Sequence, residues 1–357
     1  VSLEPMTATA RPSSSRLEIW AAVQDFDSAH AAVAEAAGLE RRQVVLYPMP
    51  VGDSGGRAMH ADLIPVVVEL AKRLNKPVQL AVSAGVTQNH DRVRSPLLAR
   101  MAALPSPEGL LNAWRARLAI AEDSPIEGAV PPYAIPSLRI DRVGAQLPIR
   151  LGYMRGGTEA LAGFVTESFV DEMARALDAD PLGFRMAMLG GNIRLAQCLT
   201  AVTALGGWDG GRAGSTMGLA AASAFGSHIA LLVQAGVATD QRISVERMVA
   251  AVDCGRVVNP GLVRQQVEGS LLQALDLATS PAPRFVVGVP LARPLRAFGL
   301  QRLAPLPRIE VELIASGEAP GGVSGLGHVV CAPAVANALA AGTGRRLRNL
   351  PFDLMAA

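Results

Sequence analysis

Residues 17–49 read LEIWAAVQDFDSAHAAVAEAAGLERRQVVLYPM, and the fold class turns on this stretch. Leu17 to Ala22 is a short apolar run of strand length. Ser28 to Ala37 is rich in alanine and predicts a helix, and Gly38 is the residue type that closes one in a left-handed conformation. Gln43 to Met49 is β-branched and strand-like. Strand, helix and strand in succession make a βαβ unit, so the class is mixed α and β, or α+β.

Reading outward, a glycine-rich loop follows Met49. From Met59 to Leu74 the residues Leu63, Val66, Val67, Leu70 and Leu74 recur at helical spacing, with Pro65 suited to a first turn or a kink. Pro77 to Ser83 is again strand-like. Asn112 to Ile120 alternates with period two: Trp114, Ala116, Leu118 and Ile120 share one face, Arg115 and Arg117 the other. Pro105 to Gly109 before it predicts a hairpin. Pro125 to Pro136 reads as a connector. Thr158 to Leu177 is the clearest helix, with Leu161, Phe164, Val165, Phe169, Val170, Met173 and Leu177 as its apolar stripe. Further helices are predicted from Asp180-Pro181 to Met188 and from Arg194 to Leu205. Leu219 to Val252 reads as two or three antiparallel strands. Asn259-Pro260 opens a helix to about Leu277, Ile309 to Ile314 alternates as a strand, and Ala334 to Ala341 reads as a short helix closed at Gly342. These elements divide the chain into a first α/β region, 1–136, and a second α+β region, 137–357.

The chain has 357 residues, beyond the roughly 100–200 of one ordinary domain. Its 33 basic and 31 acidic residues leave a net charge of +2, which gives no concentrated basic surface for nucleic acid. Charged residues are only 18% and the mean hydropathy is +0.28, so a disordered chain is excluded. With 35 glycines and 4% aromatics, packing must rely on small side chains and close backbone approach. Cys198, Cys254 and Cys331 are far apart and form no CxxC, so neither a disulfide framework nor a zinc site is expected. Residues 213–239 and 319–344 lack Asp, Glu, Lys and Arg. Their glycines, prolines and polar residues favour buried strands and glycine-rich loops over a membrane span. The chain opens with Val1, so compartment, cytoplasmic or periplasmic, is not legible.

Three stretches carry chemistry. Gly52-Asp53-Ser54-Gly55-Gly56 lies between a strand and a helix, where a G-x-S-x-G nucleophile elbow would sit, and Asp253 and His328 follow in hydrolase order. The same turn also suits an anion- or cofactor-cradling role at a helix N-terminus. It matches neither G-x-G-x-x-G nor the P-loop pattern. Met154-Arg155-Gly156-Gly157 lets a guanidinium approach an anionic or oxo-bearing ligand, although a surface arginine in a turn would look the same. Residues 252–260, VDCGRVVNP, followed by Gln266-Val267-Glu268-Gly269, are strand, turn and helix start in one run. Gln266 and Glu268 need partners there if they are buried.

Taken in order, LEPM at 3–6, GDSGGR at 52–57, MRGG at 154–157 with SFVDEMA, DPLGFR at 180–185, VDCGRVVNP with QVEG, and APAVANALAAGTGRRLRNLP at 332–351 form one succession. It resembles the molybdopterin-binding (large) subunit of the xanthine dehydrogenase/aldehyde oxidase family, in its isoquinoline 1-oxidoreductase β-subunit branch. The resemblance runs along the whole chain but covers only the C-terminal half of such a subunit. It implies a molybdenum-cofactor-binding domain incomplete at its N-terminus, and an isolated chain that is inactive. The implied activity is hydroxylation of an aldehyde or N-heteroaromatic carbon with water-derived oxygen. The implied cofactor is a molybdenum–pyranopterin, in its simple or cytosine dinucleotide form. The implied partners are the N-terminal half of the subunit and a small subunit carrying [2Fe–2S] clusters, with no nucleic acid and no membrane span.

By matched position, Gly52, Asp53, Ser54, Gly55, Arg155, Gly156, Gln266 and Gly325 are the cofactor-site candidates. Two departures stand out. The family loop GGGFG is VGDSG here, and the turn that carries the family's catalytic glutamate reads Gly322-Val323-Ser324-Gly325-Leu326-Gly327, placing Gly325 at the glutamate position. No catalytic residue or metal ligand is therefore assigned. A family member that has lost its base is the alternative, with the Ser54 hydrolase behind it.

Overall fold

A computed structural model describes residues 4–52, 55–122, 124–280, 285–286, 289–290 and 306–354. The chain divides into two compact units. One comprises Val1–Arg94, Pro148–Arg155 and Pro283–Ala297, the other Ser95–Leu147, Gly156–Ala282 and Phe298–Ala357.

The first unit is built on the predicted βαβ motif. Strands β1 (Thr7–Pro12), β2 (Leu17–Ala22), β3 (Val44–Met49) and β4 (Val78–Ala81) form a sheet in the order β3-β2-β1-β4. β2 and β3 are parallel, joined by α1 (Phe26–Ala37), while β1 is antiparallel to β2 and β4. Asp25 caps α1 by accepting the Ser28 N–H, and Gly38 ends it at φ 65°. Helix α2 (Ile64–Leu74) holds Pro65 in its first turn, where no intrahelical N–H is required. Its buried face is Ile64, Val67, Val68 and Ala71, the i, i+3, i+4, i+7 set, whereas Val66 and Leu74 are exposed. The expected stripe was thus rotated, because the helix starts at Ile64. A short helix, α3 (Ala84–His90), follows β4 and is capped by Ser83.

In the second unit, β5 (Leu97–Pro105), β6 (Leu111–Ala121) and β7 (Ser137–Ala145) form one sheet. β5 and β6 make the expected hairpin, with Trp114, Ala116, Leu118 and Ile120 buried. β7 pairs parallel with β6 from Ser137 to Ala145. Its largely exposed sequence, SLRIDRVGA, lies just past the predicted connector and was not read as a strand, and a split after residue 136 parts these two paired strands.

Three helices come next: α4 (Glu159–Ala176), α5 (Pro181–Met188) and α6 (Ile193–Gly206). They lead into β8 (Met217–Ala224), β9 (Ser227–Val237) and β10 (Ile243–Asp253), an antiparallel meander, and then into α7 (Pro260–Thr279). The chain then contributes to the first unit the two-residue strands β11 (Phe285–Val286) and β12 (Val289–Pro290), which pair with each other. β13 (Arg308–Leu313) returns parallel to β10, giving the order β13-β10-β9-β8, and α8 (Leu326–Thr343) closes the second unit.

Alternation along this sheet buries both of its faces. Leu219, Ala221, Leu232 and Val249 pack with Leu195, Leu199 and Val202 of α6. Ala220, Leu231, Val233 and Met248 pack with Leu271 of α7 and Val330 and Val335 of α8.

Two expectations need correction. Residues 319–344 contain an 18-residue helix, not loops with a short helix over 334–341. α8 is long and apolar enough to cross a membrane, but 89% of it is buried inside the protein. Pro333 removes the N–H that would bond the Val329 carbonyl. Gly163 of α4 approaches that oxygen so closely that a Cβ there would lie 2.5 Å away. In α4 the buried face runs through Phe164, Glu167, Val170, Asp171 and Ala174, while Leu161, Val165, Phe169 and Met173 are only half-buried. Two acids lie inside because each meets arginines there.

Glu167 accepts from Tyr133 Oη at 2.7 Å, from Arg185 Nε at 2.9 Å and from the Ala221 N–H at 2.8 Å. Asp171 pairs with Arg175 and Arg346. Asn337 Nδ2 donates to the Leu219 and Glu167 carbonyls. This network ties α4, α5, β8 and α8 together, and each of its two buried carboxylates has an arginine partner, while Asp171 Oδ1 and Arg175 Nη2 make no hydrogen bond.

Candidate functional site

In the first unit the LEPM, GDSGGR and MRGG stretches meet. The Gly52 N–H donates to Glu4 Oε2 at 3.0 Å, and Arg57 Nη2 donates to the Glu4 carbonyl. Gly55 and Gly56 follow at φ 58° and 104°, a conformation that favours glycine. A Cβ on Gly56 would lie 3.2 Å from the Tyr153 carbonyl oxygen, so the turn runs directly against the MRGG segment. The Arg155 N–H donates to the Gly55 carbonyl at 2.9 Å, and Arg94 Nη2 donates to the Arg155 carbonyl at 3.0 Å. Asp53 and Ser54 lie outside the described residues.

A charged fringe holds this loop cluster. His60 Nε2 accepts the Tyr153 N–H at 2.8 Å, which places its proton on Nδ1 when the ring is neutral. Burial, with Arg92 nearby, holds His60 below the ordinary imidazole range. Arg92 grips Asp62 with two hydrogen bonds, 2.8 and 2.7 Å, and keeps that carboxyl below its usual range. Arg150 adds a third at 2.9 Å.

In the second unit Gly156 and Gly325 come together. Gly325 caps α8, and a Cβ on it would lie 3.1 Å from Gly156 Cα and 2.9 Å from Phe225 Cε2. Phe225 is held there by a two-residue turn between β8 and β9, with φ 56° at Phe225 and 75° at Gly226. A Cβ on Gly156 would lie 2.4 Å from His328 Cβ, and His328 Nδ1 shares a 2.9 Å hydrogen bond with Ser270 Oγ of α7. Gln266 stands one turn before Ser270 on the same helix and is exposed, so burial does not constrain it. Glu268 is half-buried.

The VDCG turn packs against the loop before α8. Gly255, at φ 71°, comes so close to Ala319 that a Cβ would lie 2.1 Å from its carbonyl oxygen, and the Gly321 N–H donates to the Cys254 carbonyl. Asp253 is fully committed: Arg194 holds it at 2.7 and 2.6 Å and the Gly255 N–H at 2.9 Å, with its carboxyl pushed down to about 2 chiefly by Arg194. Asp253 and His328 therefore each serve other partners, and the hydrolase order Ser54, Asp253, His328 gains no support.

Sequence reasoning missed Arg94 and Phe225. Neither stands in a recognisable pattern, and only the approach of distant chain segments singles them out. Arg57 ends the GDSGGR stretch and could have been named from it.

Residues 1–189 match the molybdopterin cofactor-binding domain, and residues 203–300 match a second domain of the same description. The chain belongs to the molybdopterin cofactor-binding family. It is 28% identical over 375 residues to isoquinoline 1-oxidoreductase subunit beta of Brevundimonas diminuta, covering 98% of this chain and 48% of that protein. It is 24% identical over 399 residues to a membrane-bound aldehyde dehydrogenase [pyrroloquinoline-quinone] of Gluconacetobacter polyoxogenes, covering 98% and 51%. The chain thus spans about half the length of the curated relatives it matches. The aldehyde oxidoreductase of Desulfovibrio gigas has the same fold, with a TM-score of 0.82 at 15% identity over 98% of this chain and 58% of that one. The CO dehydrogenase of Oligotropha carboxidovorans gives 0.84 at 11%, over 98% and 72%. Molybdopterin-family membership and the mixed α/β fold agree with the expectation from the motif succession.

Proposed function

We propose that this chain is the C-terminal portion of the molybdopterin-binding subunit of a molybdenum hydroxylase acting on an aldehyde or N-heteroaromatic C–H bond. The observation that carries the reading is the convergence of three motif stretches in the first unit through Glu4, Gly55, Arg57, Arg94 and Arg155. The donor set suits a large anionic pterin. Glycine turns expose backbone, and guanidiniums held by carbonyl oxygens keep their full charge for a ligand. When bound, the molybdenum–pyranopterin would supply the two-electron oxidation, with [2Fe–2S] clusters of a partner subunit as the electron exit.

The residues of this chain would do the holding. Within the first unit, Gly52, Gly55 and Arg155 are the proposed contacts, with Asp53 and Ser54 on the same loop as Gly52; within the second unit, Gly156, Gln266 and Gly325 are candidates by matched position. Glu4 fixes the start of the Gly52 turn, and Arg94 fixes the Arg155 backbone. A base is not supplied at position 325, where the Phe225 ring and Gly156 fill the space a side chain would enter. Losing general-base help costs about 10²–10⁴ in rate. That observation favours a second reading, a family member that binds the cofactor or its partners without turning over.

The test is elemental and pterin analysis of the assembly purified from its native source. Molybdenum and pterin in stoichiometric amounts support the reading, and a metal-free, pterin-free assembly overturns it. Turnover of aldehydes or N-heteroarenes by the loaded assembly then separates the active reading from the inactive one.

A further inference from the structure

We propose that the open face of the β5-β6-β7 sheet docks a partner protein that presents clustered carboxylates, with Arg100 and Arg117 as the pair that receives one of them. All of these strands belong to the second unit, and none of their residues is a candidate for holding the cofactor.

One face of this sheet is spent on the core, through Trp114, Ala116, Leu118 and Ile120. The other face is open to solvent. Its side chains line up in rows across the three strands. One row is Arg100, Arg117 and Asp141, and the next is Ala102, Arg115 and Arg139. Asp141 is the only acid in these strands, against five arginines. The fifth, Arg142, alternates to the other side, where its Nη2 donates to the Ala121 carbonyl. The open face is therefore strongly positive.

Asp141 shows what this face does with a carboxylate. Its Oδ2 accepts from Arg115 Nε and Nη2 at 3.1 and 2.9 Å, and its Oδ1 accepts from Arg139 Nε at 2.7 Å. One acid thus bridges two arginines on neighbouring strands. Arg100 and Arg117 repeat the arrangement without the acid. They stand directly opposite each other in the antiparallel ladder, both are exposed, and neither pairs with an acid among the described residues. Directly opposed like charges destabilise a sheet, so a carboxylate arriving between them relieves a repulsion already built into the fold. The fork of each guanidinium matches a carboxylate's two oxygens.

The next row along the strands is apolar: Leu98, Ala119 and Val143, with Leu98 75% exposed. Arginines beside exposed aliphatic side chains suit a protein surface of complementary charge. An anionic bilayer is the poorer match, because Asp141 sits in the middle of the patch.

The experiment labels arginines with phenylglyoxal in the assembly purified from its native source and in the isolated full chain, and maps the modified peptides. Arg42, with its side chain 81% exposed in the first unit, is the reference. Arg100 and Arg117 should be labelled in the isolated chain, lose that labelling in the assembly, and regain it when high salt releases the partner. Arg117→Glu should weaken partner binding roughly tenfold or more. The same variant places an acid opposite Arg100, so the isolated chain should unfold at no lower temperature than the wild type. A merely structural arginine would instead lower it. In Arg117→Lys, a carbodiimide should join the new amine to an Asp or Glu of the partner.

Equal labelling in assembly and isolated chain, unweakened binding by Arg117→Glu, or a carbodiimide product with no partner carboxylate would overturn the proposal. Protection already present in the isolated chain would assign the face to a second copy and overturn it too. So would binding of phosphatidylglycerol–phosphatidylcholine vesicles that Arg117→Glu abolishes. If Arg117→Glu does not fold, the wild-type labelling decides alone.

Discussion

The Cβ position on Gly325 lies 3.1 Å from the Cα of Gly156, two glycines that sequence placed 169 residues apart and that the second unit packs face to face. Gly325 itself has φ −100° and ψ −9°, so its backbone would accept any residue. What forbids a side chain is the neighbour, not the conformation. Gly325→Glu should therefore destabilise the protein by roughly 1–3 kcal/mol through overpacking. Phe225→Ala in the same chain should recover part of that loss, as a coupling of roughly 0.5–3 kcal/mol. Urea unfolding of the four chains of the cycle measures it, and strict additivity would show that Phe225 is not the obstacle.

Removing Glu167 should be far worse than removing its tyrosine partner. Glu167→Ala leaves Arg185, fully buried, without its carboxylate, at a cost of about 3–5 kcal/mol. Tyr133→Phe deletes one hydrogen bond to a charged group while Arg185 and the Ala221 N–H remain, at about 1.5–3 kcal/mol. Denaturant midpoints for the two variants decide the order, and an equal loss would contradict the network as described.

Gly255→Ala combines a left-handed φ of 71° with a Cβ 2.1 Å from the Ala319 carbonyl oxygen. Overpacking alone predicts a loss of roughly 1–3 kcal/mol, with backbone strain added. The thermal unfolding temperature of the variant checks this, and a drop smaller than that of a Gly236→Ala control, where a Cβ would meet nothing within 4 Å, would refute the close packing of the VDCG turn.

His60 gives the first unit a pH dependence of definite sign. Its folded pKa lies below the ordinary value of about 6.5, so it contributes stability that is present above that pH. The contribution is lost as pH falls from about 6.5 through the folded value, since the unfolded chain takes up the proton first. Protonation also takes the acceptor away from the Tyr153 N–H. Arg92 and Arg150 oppose the added charge, while Asp62 and Asp91 partly offset them. Chemical denaturation across this range should show the loss in the wild type and a flatter profile in His60→Gln, whose amide oxygen can still accept. Identical slopes would exclude the histidine as the source.

Local rules carried most of the secondary structure. Asp25 and Gly38 bound α1, Pro65 stands in the first turn of α2, Asp180-Pro181 and Asn259-Pro260 open their helices, and the period-two run ending at Ile120 is a strand. They failed where a segment is shaped by what surrounds it. β7 is a strand because β6 offers it a ladder, and α8 runs through Pro333 with its freed Val329 carbonyl packed closely against Gly163 of α4.

The amino-acid sequence by itself determined the mixed α/β class, the boundaries of most elements and the motif succession that marks the family, because capping, periodicity and turn preferences act over a few residues. Only the tertiary structure decided that Arg57 and Arg94 are buried beside carbonyl oxygens, that Asp253 is spent on Arg194, and that Phe225 stands over Gly325. Burial and charge compensation are properties of which distant segments meet, and no local pattern encodes them.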